Sequence, residues 1–215
     1  MNPSSPHEGQ YVAAFGPDPE AATSAMVLVH GRGASADSIL ELARHLPVDG
    51  MTYVAPQAAG HTWYPYSFLA PVAQNEPGRS SGLGVIGALV SRLESAGIPA
   101  ERIVLAGFSQ GACLASEFVA RNPRRYGGLL VFSGGLIGPP GMPFDLSGDL
   151  QGTPVFLGCS DVDAHIPLHR VEETAEQLEA LGADVTKKIY PGMPHTIVQD
   201  EINEARRLIS ALGEV

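Results

Sequence analysis

The 215-residue sequence has few cysteines and few basic residues, and each shortage argues against a class of protein. Two cysteines, Cys113 and Cys159, are too few for the disulfide framework of a small secreted domain. Only 13 Lys and Arg stand against 23 Asp and Glu, without a dense basic cluster, so we expect no nucleic-acid partner. No apolar run reaches the roughly 18 residues of a membrane span, so we expect none.

The first residues also lack a targeting signal. Residues 1–8 contain neither the basic stretch nor the apolar stretch of a secretory signal peptide. Together with the scarcity of cysteine, this favours a cytoplasmic enzyme whose partner is a small molecule. The composition leaves the oligomeric state open and is compatible with a homodimer.

The sequence does contain a regular alternation of short apolar runs with amphipathic stretches. This alternation is typical of an α/β fold, in which helices flank a mostly parallel central sheet. No repeat or linker divides residues 1–215, so we expect a single domain. The predicted strands are 25–30, 51–55, 102–106, 128–132, 154–157 and 185–190. The predicted helices are about 35–46, 80–97, 112–121, 168–181 and 198–212.

Two connections stand out. Residues 56–78 fit neither a helix nor a strand, and a loop of this length in a compact domain is usually functional. Its aromatic residues could line a substrate pocket or could pack against one another within the loop. The candidates for substrate contact are Trp63, Tyr64 and Phe68. Residues 133–152 are rich in glycine and proline and leave no room for a large helical lid, so we expect an open cleft.

The sequence 107–111 matches the pattern G-x-S-x-G, with Ser109 at its centre. A predicted strand precedes it and a predicted helix follows it, which is the context of a nucleophile turn. Glycines are needed on both sides because side chains there would clash in so tight a turn. The pattern therefore predicts that Ser109 is a nucleophile.

A serine nucleophile needs a general base, which is itself oriented by a carboxylate. In α/β-hydrolases these groups follow in the order Ser, acid, His, each after a later strand. His195 is the histidine that follows the last predicted strand. Asp161 and Asp163 both follow strand 154–157, and spacing alone does not separate them.

Acyl transfer also needs hydrogen-bond donors for the developing oxyanion. The residue after the nucleophile usually provides one backbone N–H, and the turn after an early strand provides the other. These rules point to the amides of Gln110 and Arg32.

Four segments together resemble the phospholipase/carboxylesterase family of α/β-hydrolases, which includes bacterial carboxylesterases and acyl-protein thioesterases. They occur in the family's order and span nearly the whole chain: 28–33, 107–111, 163–167 and 192–195. The resemblance implies a serine hydrolase without a large lid that cleaves carboxylic esters, with thioesters or lysophospholipids as further substrates. Such a hydrolase needs no cofactor.

The resemblance also implies that Asp163 is the acid, because the family places it four residues before the end of a Val/Ile-Pro turn, here Ile166-Pro167. His165 would then border the active site. The family often has His-Gly-Leu-Gly-Asp where this chain has Arg32 in the third position, and His-Gly where it has Cys159-Ser160. These departures bear on substrate preference.

Two other patterns do not predict sites. Residues 82–87 match G-x-G-x-x-G, but residues 76–81 before them cannot form the strand that a dinucleotide site requires. Residues 159–169 contain cysteine, aspartate and histidine, but their spacing matches no tetrahedral zinc pattern. We therefore expect no metal.

Two other functions would also fit an α/β fold of this kind. The first is a dienelactone-hydrolase-like enzyme that acts on cyclic or ring-cleavage esters. Such enzymes usually carry Cys as the nucleophile, and this chain has Ser109. The second is a non-catalytic binding protein on the same fold, which predicts a broken triad, whereas candidates for all three members are present.

Overall fold

The structure is a computed structural model, and it describes residues 4–213. Seven strands form one sheet at its centre. They are β1 (Val12–Phe15), β2 (Ser24–Val29), β3 (Met51–Pro56), β4 (Ile103–Phe108), β5 (Gly128–Phe132), β6 (Pro154–Ser160) and β7 (Asp184–Tyr190). Their spatial order is β1-β3-β2-β4-β5-β6-β7, and every neighbouring pair is parallel except β1 with β3. The predicted mostly parallel sheet is confirmed.

Helices cover both faces of this sheet. They are α1 (Ala36–Leu40), α2 (Gly78–Ser95), α3 (Gln110–Arg121), α4 (Leu168–Ala180) and α5 (Gln199–Ile209). Strand β2 shows how the faces divide: Ala25, Val27 and Val29 belong to the buried cluster that includes α2, α3 and α4, whereas Met26 and Leu28 belong to the cluster that includes α1 and α5. Side chains alternate across a strand, so a strand buried on both faces reads as one continuous apolar run.

Several element bounds differ from prediction, and three of the differences have a clear physical reason or bear on the site. Strand β1 was not predicted, because this antiparallel edge strand buries only Ala13 fully and has little apolar pattern. The expected helix 35–46 is the short α1 followed by a 3-10 helix, Glu41–His45. Apolar residues three apart fit both helix types, so the pattern could not separate them. Helix α3 begins at Gln110, directly after the serine, rather than at 112.

The connections at the carboxyl edge of the sheet lie where parallel strands deliver their loops. Residues 133–153 contain neither helix nor strand, as expected for a fold without a large lid. The loop between β3 and α2, residues 57–77, is named the aromatic loop below. None of the helices that the structure describes is long and apolar enough to cross a bilayer.

Candidate active site

Ser109 lies on a strained turn between β4 and α3. Its φ of 56° and ψ of −121° fall in a region that side-chain-bearing residues rarely adopt. A Cβ on Gly107 would lie 2.5 Å from the carbonyl carbon of Gly111, and a Cβ on Gly111 would overlap the carbonyl group of Val29. Both glycines are therefore required by close backbone packing, which holds Ser109 at the end of β4.

A chain of two hydrogen bonds joins the three residues that the sequence and the resemblance assign to a triad. Ser109 Oγ lies 2.8 Å from His195 Nε2. His195 Nδ1 lies 2.6 Å from Asp163 Oδ2. In the neutral tautomer that fits both contacts, Nδ1–H donates to the carboxylate and Nε2 accepts from the serine hydroxyl. The loops after β4, β6 and β7 thus bring these side chains together at one edge of the sheet.

Asp163 is held as a carboxylate by its surroundings. Its side chain is fully buried. Oδ1 accepts the backbone N–H groups of His165 at 2.8 Å and Ile166 at 3.0 Å. Burial alone would raise the pKa of Asp163, but the hydrogen bonds from His195 and these two amides outweigh it and lower the pKa below its usual value. The group is therefore ionised and available to orient His195 at neutral pH.

Asp161, the other carboxylate after β6, has a different partner. Its Oδ1 accepts the backbone N–H of Gly192 at 2.8 Å. Gly192 lies in the loop that carries His195 and has a φ of 67°. Asp161 therefore anchors the histidine loop and does not contact the imidazole.

Two rings flank the His195 imidazole. The Phe108 ring centroid lies 4.8 Å away, and the His165 ring lies 4.9 Å away in an edge-on arrangement. His165 is exposed and lines the cleft beside this imidazole. These contacts restrict rotation of the imidazole.

The two candidate oxyanion donors lie close to the serine. Arg32, Ser109 and Gln110 all line the same cleft. A Cβ on Gly31 would lie 3.3 Å from the Phe108 carbonyl oxygen and 3.4 Å from Ser109 Cβ, so the turn after β2 packs directly against the nucleophile turn. Within residues 4–213, neither the Arg32 N–H nor the Gln110 N–H donates to another protein atom. Both amides are therefore available to a ligand.

The cleft around Ser109 has a volume of about 600 Å³. Its apolar lining comes from the aromatic loop and from the turns beside the serine and the acid. Four apolar side chains on this surface are Tyr64, Phe68, Phe108 and Ile166. Two residues expected to contact substrate, Tyr64 and Phe68, thus lie in the wall of the cleft.

Trp63 has a different position from the one expected of a substrate contact. It is fully buried and does not line the cleft. Its indole N–H donates to the His30 carbonyl oxygen at 2.9 Å, and its ring lies 5.1 Å from both His7 and His30. It packs beneath the cleft wall, because the aromatic loop folds its largest side chain inward. The structure therefore gives no substrate contact to Trp63.

The side chain of Gln110 binds the backbone of the aromatic loop. Its Oε1 accepts the Trp63 N–H at 2.9 Å, and its Nε2 donates to the Tyr64 carbonyl oxygen at 2.9 Å. Gln110 is almost fully buried, so these bonds are shielded from water. One residue thus presents its amide to the cleft and fixes the cleft wall with its side chain.

The side chain of Arg32 binds the next part of the same loop. Its guanidinium donates to Thr62 Oγ1 at 3.0 Å, to the Pro65 carbonyl oxygen at 3.0 Å and to the Tyr66 carbonyl oxygen at 2.7 Å. The sequence predicted a role only for the backbone amides of Arg32 and Gln110, as donors to the oxyanion. No sequence signal predicts the side-chain role, because the loop residues they bind contribute mainly backbone groups.

The remaining reactive side chains are inert or engaged. Burial is the main cause that raises the pKa of Cys113 and of Cys159 to about 12, so both stay protonated thiols. Among residues 4–213, no group of three His, Cys, Asp or Glu side chains could hold a metal ion.

Comparison with known proteins identifies what this chain resembles. A family model described as phospholipase/carboxylesterase matches residues 15–212. Acyl-protein thioesterase 1 from Debaryomyces hansenii is 27% identical over 210 residues, covering 87% of this chain and 90% of the relative. These matches extend over nearly the whole sequence.

Solved structures show the same likeness. A phospholipase/carboxylesterase from Dyadobacter fermentans superimposes with a TM-score of 0.90 at 45% identity, covering 94% of this chain and 96% of the other. Esterase PE8 superimposes with a TM-score of 0.76 at 25% identity, covering 92% and 96%. Both structural neighbours are named for ester hydrolysis.

Proposed function

This chain belongs to the phospholipase/carboxylesterase family of ester and thioester hydrolases, and from that premise we propose that Ser109, His195 and Asp163 form its catalytic triad. The observation that carries the proposal is the continuous hydrogen-bond chain from Ser109 Oγ through His195 to Asp163, with distances of 2.8 and 2.6 Å. A binding protein would have no need of this geometry on a strained turn.

The first half of the reaction would form an acyl-enzyme. His195 Nε2 accepts the hydroxyl proton of Ser109 as its Oγ attacks the ester carbonyl carbon. Asp163 holds the Nδ1–H tautomer in place and stabilises the imidazolium that forms. His195 then donates the proton to the departing alcohol or thiol, and the carbonyl re-forms as the acyl-enzyme.

The second half would return the enzyme to its starting state. His195 removes a proton from water, which attacks the acyl-enzyme, and the Ser109 oxygen leaves with that proton. In both halves the carbonyl oxygen becomes an oxyanion. The backbone N–H groups of Arg32 and Gln110 would stabilise it, since neither donates to a protein atom within residues 4–213 and both residues line the cleft with Ser109. Loss of one such donor usually costs about 3 kcal/mol of transition-state stabilisation.

The substrate is an ester or a thioester. Relatives named acyl-protein thioesterase support a thioester, and neighbours named esterase support an oxygen ester. The apolar side chains of the cleft favour an acyl group or alcohol with substantial hydrocarbon.

The experiment that tests the proposal uses p-nitrophenyl esters and acyl thioesters of increasing chain length, with wild type and Ser109→Ala. Wild type should hydrolyse members of at least one series, and Ser109→Ala should lose at least about a thousandfold in kcat. Mass spectrometry should detect an acyl adduct on Ser109 in wild type. Equal turnover by the two proteins would refute the mechanism.

A matched pair of variants tests the assignment of the acid. Asp163→Asn should reduce kcat by about 10⁴-fold, because the amide favours the wrong imidazole tautomer. Asp161→Asn keeps an oxygen that can accept the Gly192 N–H and only makes that hydrogen bond neutral, so the expected reduction is about tenfold or less. Equal losses in the two variants, measured with the same ester, would contradict the assignment.

A further inference from the structure

The cleft contains a cation, Arg32, that forms no salt bridge in the part of the chain that the structure describes. Arg32 is exposed and lines the cleft beside Ser109. Its guanidinium donates to one hydroxyl and two carbonyl oxygens, all of them uncharged. Within residues 4–213, no Asp or Glu forms a salt bridge with it. Its charge is therefore uncompensated.

The guanidinium also keeps hydrogen-bonding capacity. Arginine has five N–H donors in one plane. Two bonds engage Nη1 and one engages Nη2, so the Nε–H and one Nη2 N–H have no protein partner in the described part of the chain. Nε and Nη2 together form one of the two edges through which arginine binds a carboxylate with two parallel hydrogen bonds. The three bonds to the aromatic loop fix the group, so little side-chain freedom would be lost on binding.

The charge of the cleft differs from that of the whole molecule. The chain has a formal net charge of −10. None of the described residues that line the cleft is Asp or Glu, whereas Arg32 and the imidazoles of His165 and His195 are among them. The nearby carboxylate, Asp163, is fully buried and bound to His195. An anion that enters the cleft would therefore meet a fixed cation and no exposed carboxylate.

We infer that the preferred substrates of this enzyme are esters that carry a carboxylate, which the Nε–Nη2 edge of Arg32 binds while Ser109 attacks the ester carbonyl. The inference rests on the proposed function and specifies its substrate class. A neutral ester would leave the Arg32 charge without a counterion in the partly enclosed cleft. An anionic ester would supply that counterion and gain charge-assisted hydrogen bonds.

Two pairs of substrates test the inference and locate the charge. The mono-p-nitrophenyl ester of adipic acid, compared with p-nitrophenyl hexanoate, places a carboxylate on the acyl side. 4-Acetoxybenzoate, compared with p-tolyl acetate, places it on the alcohol side. The readout is the ratio of kcat/KM for the anionic ester to kcat/KM for its neutral partner, so losses common to both substrates cancel.

Arg32→Gln should lower this ratio by about tenfold in at least one pair, because hydrogen bonds to charged groups are the stronger class. Arg32→Lys keeps the positive charge but not the two parallel N–H donors of the guanidinium. Its ratio should therefore fall between those of wild type and Arg32→Gln. The matched control is Arg44→Gln, which makes the same change in net charge at an exposed site outside the cleft that pairs with Glu41. Its ratio should equal that of wild type.

Three results would overturn the inference. If Arg32→Gln lowers kcat/KM equally for the anionic and neutral esters, Arg32 acts only by holding the aromatic loop. If Arg44→Gln lowers the ratio as much as Arg32→Gln does, the effect comes from net charge. If Arg32→Gln keeps the wild-type kcat/KM for every ester in both pairs, Arg32 neither holds the loop nor selects a carboxylate. In each case turnover of the neutral esters shows that the proposed function stands, whereas no turnover of any ester by wild type would refute that function instead.

Discussion

The nucleophile turn, residues 107–111, and the aromatic loop, residues 57–77, form two sides of one cleft and are held in place by different means. The turn is fixed by close backbone packing: no Cβ fits on Gly107, which packs against Gly111 in the turn itself, or on Gly111, which packs against Val29 in β2. The aromatic loop is fixed from outside by side chains far away in sequence. Gln110 binds its Trp63 amide across 47 positions, and Arg32 binds the Tyr66 carbonyl group across 34.

The difference shows that two sides of one active site can be positioned with different rigidity. A strained turn between a buried strand and a helix cannot move without disrupting the sheet, which suits a nucleophile. A loop held by a few hydrogen bonds can vary in sequence and shape while the nucleophile stays fixed. The two regions meet at Gln110, whose backbone belongs to the turn side and whose side chain holds the loop.

The largest expected effect comes from filling the space at the nucleophile turn. Gly111→Ala would place a Cβ on the carbonyl group of Val29 in β2. We expect a loss of about 4 kcal/mol in the free energy of unfolding, or failure to fold, since backbone must move. Chemical denaturation measures it. The control Gly84→Ala lies in exposed helix with nothing within 4 Å of its Cβ, and should stabilise by up to about 1 kcal/mol. Similar results for both variants would contradict a steric requirement at the turn.

The next effect comes from releasing the aromatic loop. Gln110→Ala removes the bonds to the Trp63 amide and the Tyr64 carbonyl group and leaves both buried groups unpaired. We expect a loss of about 3 kcal/mol in the free energy of unfolding and a shift in the fluorescence of Trp63, the single tryptophan. Gln199→Ala, which loses only an exposed contact with Asn203, serves as the control. If Trp63 emission and stability stay unchanged in Gln110→Ala, the loop does not depend on this contact.

Lowering the pH should disrupt the aromatic loop before it disrupts the nucleophile turn. Nε2 of His30 accepts the Ala58 N–H at 3.0 Å, and Nδ1 of His7 accepts the Ala59 N–H at 3.1 Å. Burial is the main cause that lowers the pKa of both histidines, so the folded protein favours their neutral forms. Their stabilising contribution is complete above the unfolded value of about 6.5 and is lost as pH falls below it. Each protonation replaces an acceptor with a donor and breaks the contact.

Trp63 emission measured between pH 8 and pH 4 tests this expectation, with far-UV circular dichroism as a measure of global folding. The change in emission should precede the loss of helix signal and should involve more than one proton. His7→Gln should make the transition less steep. Coincident transitions in the two signals would show that the loop and the sheet respond to acid as one unit.

The smallest effect on stability is expected from Gly60→Ala in the aromatic loop, which is to be compared with Gly111→Ala in the nucleophile turn. Gly60 lies in the aromatic loop with a φ of 60° and open space where a Cβ would lie. Gly60→Ala should therefore cost only about 1 kcal/mol of unfolding free energy, from the left-handed backbone alone. A loss as large as that of Gly111→Ala would mean that the loop is as tightly constrained as the turn.

The same contrast explains which features could be predicted from the sequence and which could not. The parallel sheet and the flanking helices follow from apolar runs that are continuous where both sheet faces are covered. The G-x-S-x-G context pointed to Ser109, and strand order pointed to His195. Strand β1 escaped prediction because an edge strand buries little. Spacing left Asp161 and Asp163 undecided, because both follow β6 within a few residues.

By itself the sequence determined the order of the parallel strands and of the helices, the serine on its glycine-flanked turn and the position of a histidine after the last strand, since these depend on local pattern. Tertiary structure decided which aspartate faces His195, that Trp63 packs beneath the cleft wall and that Arg32 and Gln110 hold the aromatic loop. Those outcomes depend on contacts between residues 30 or more positions apart, and only the folded sheet brings such residues together.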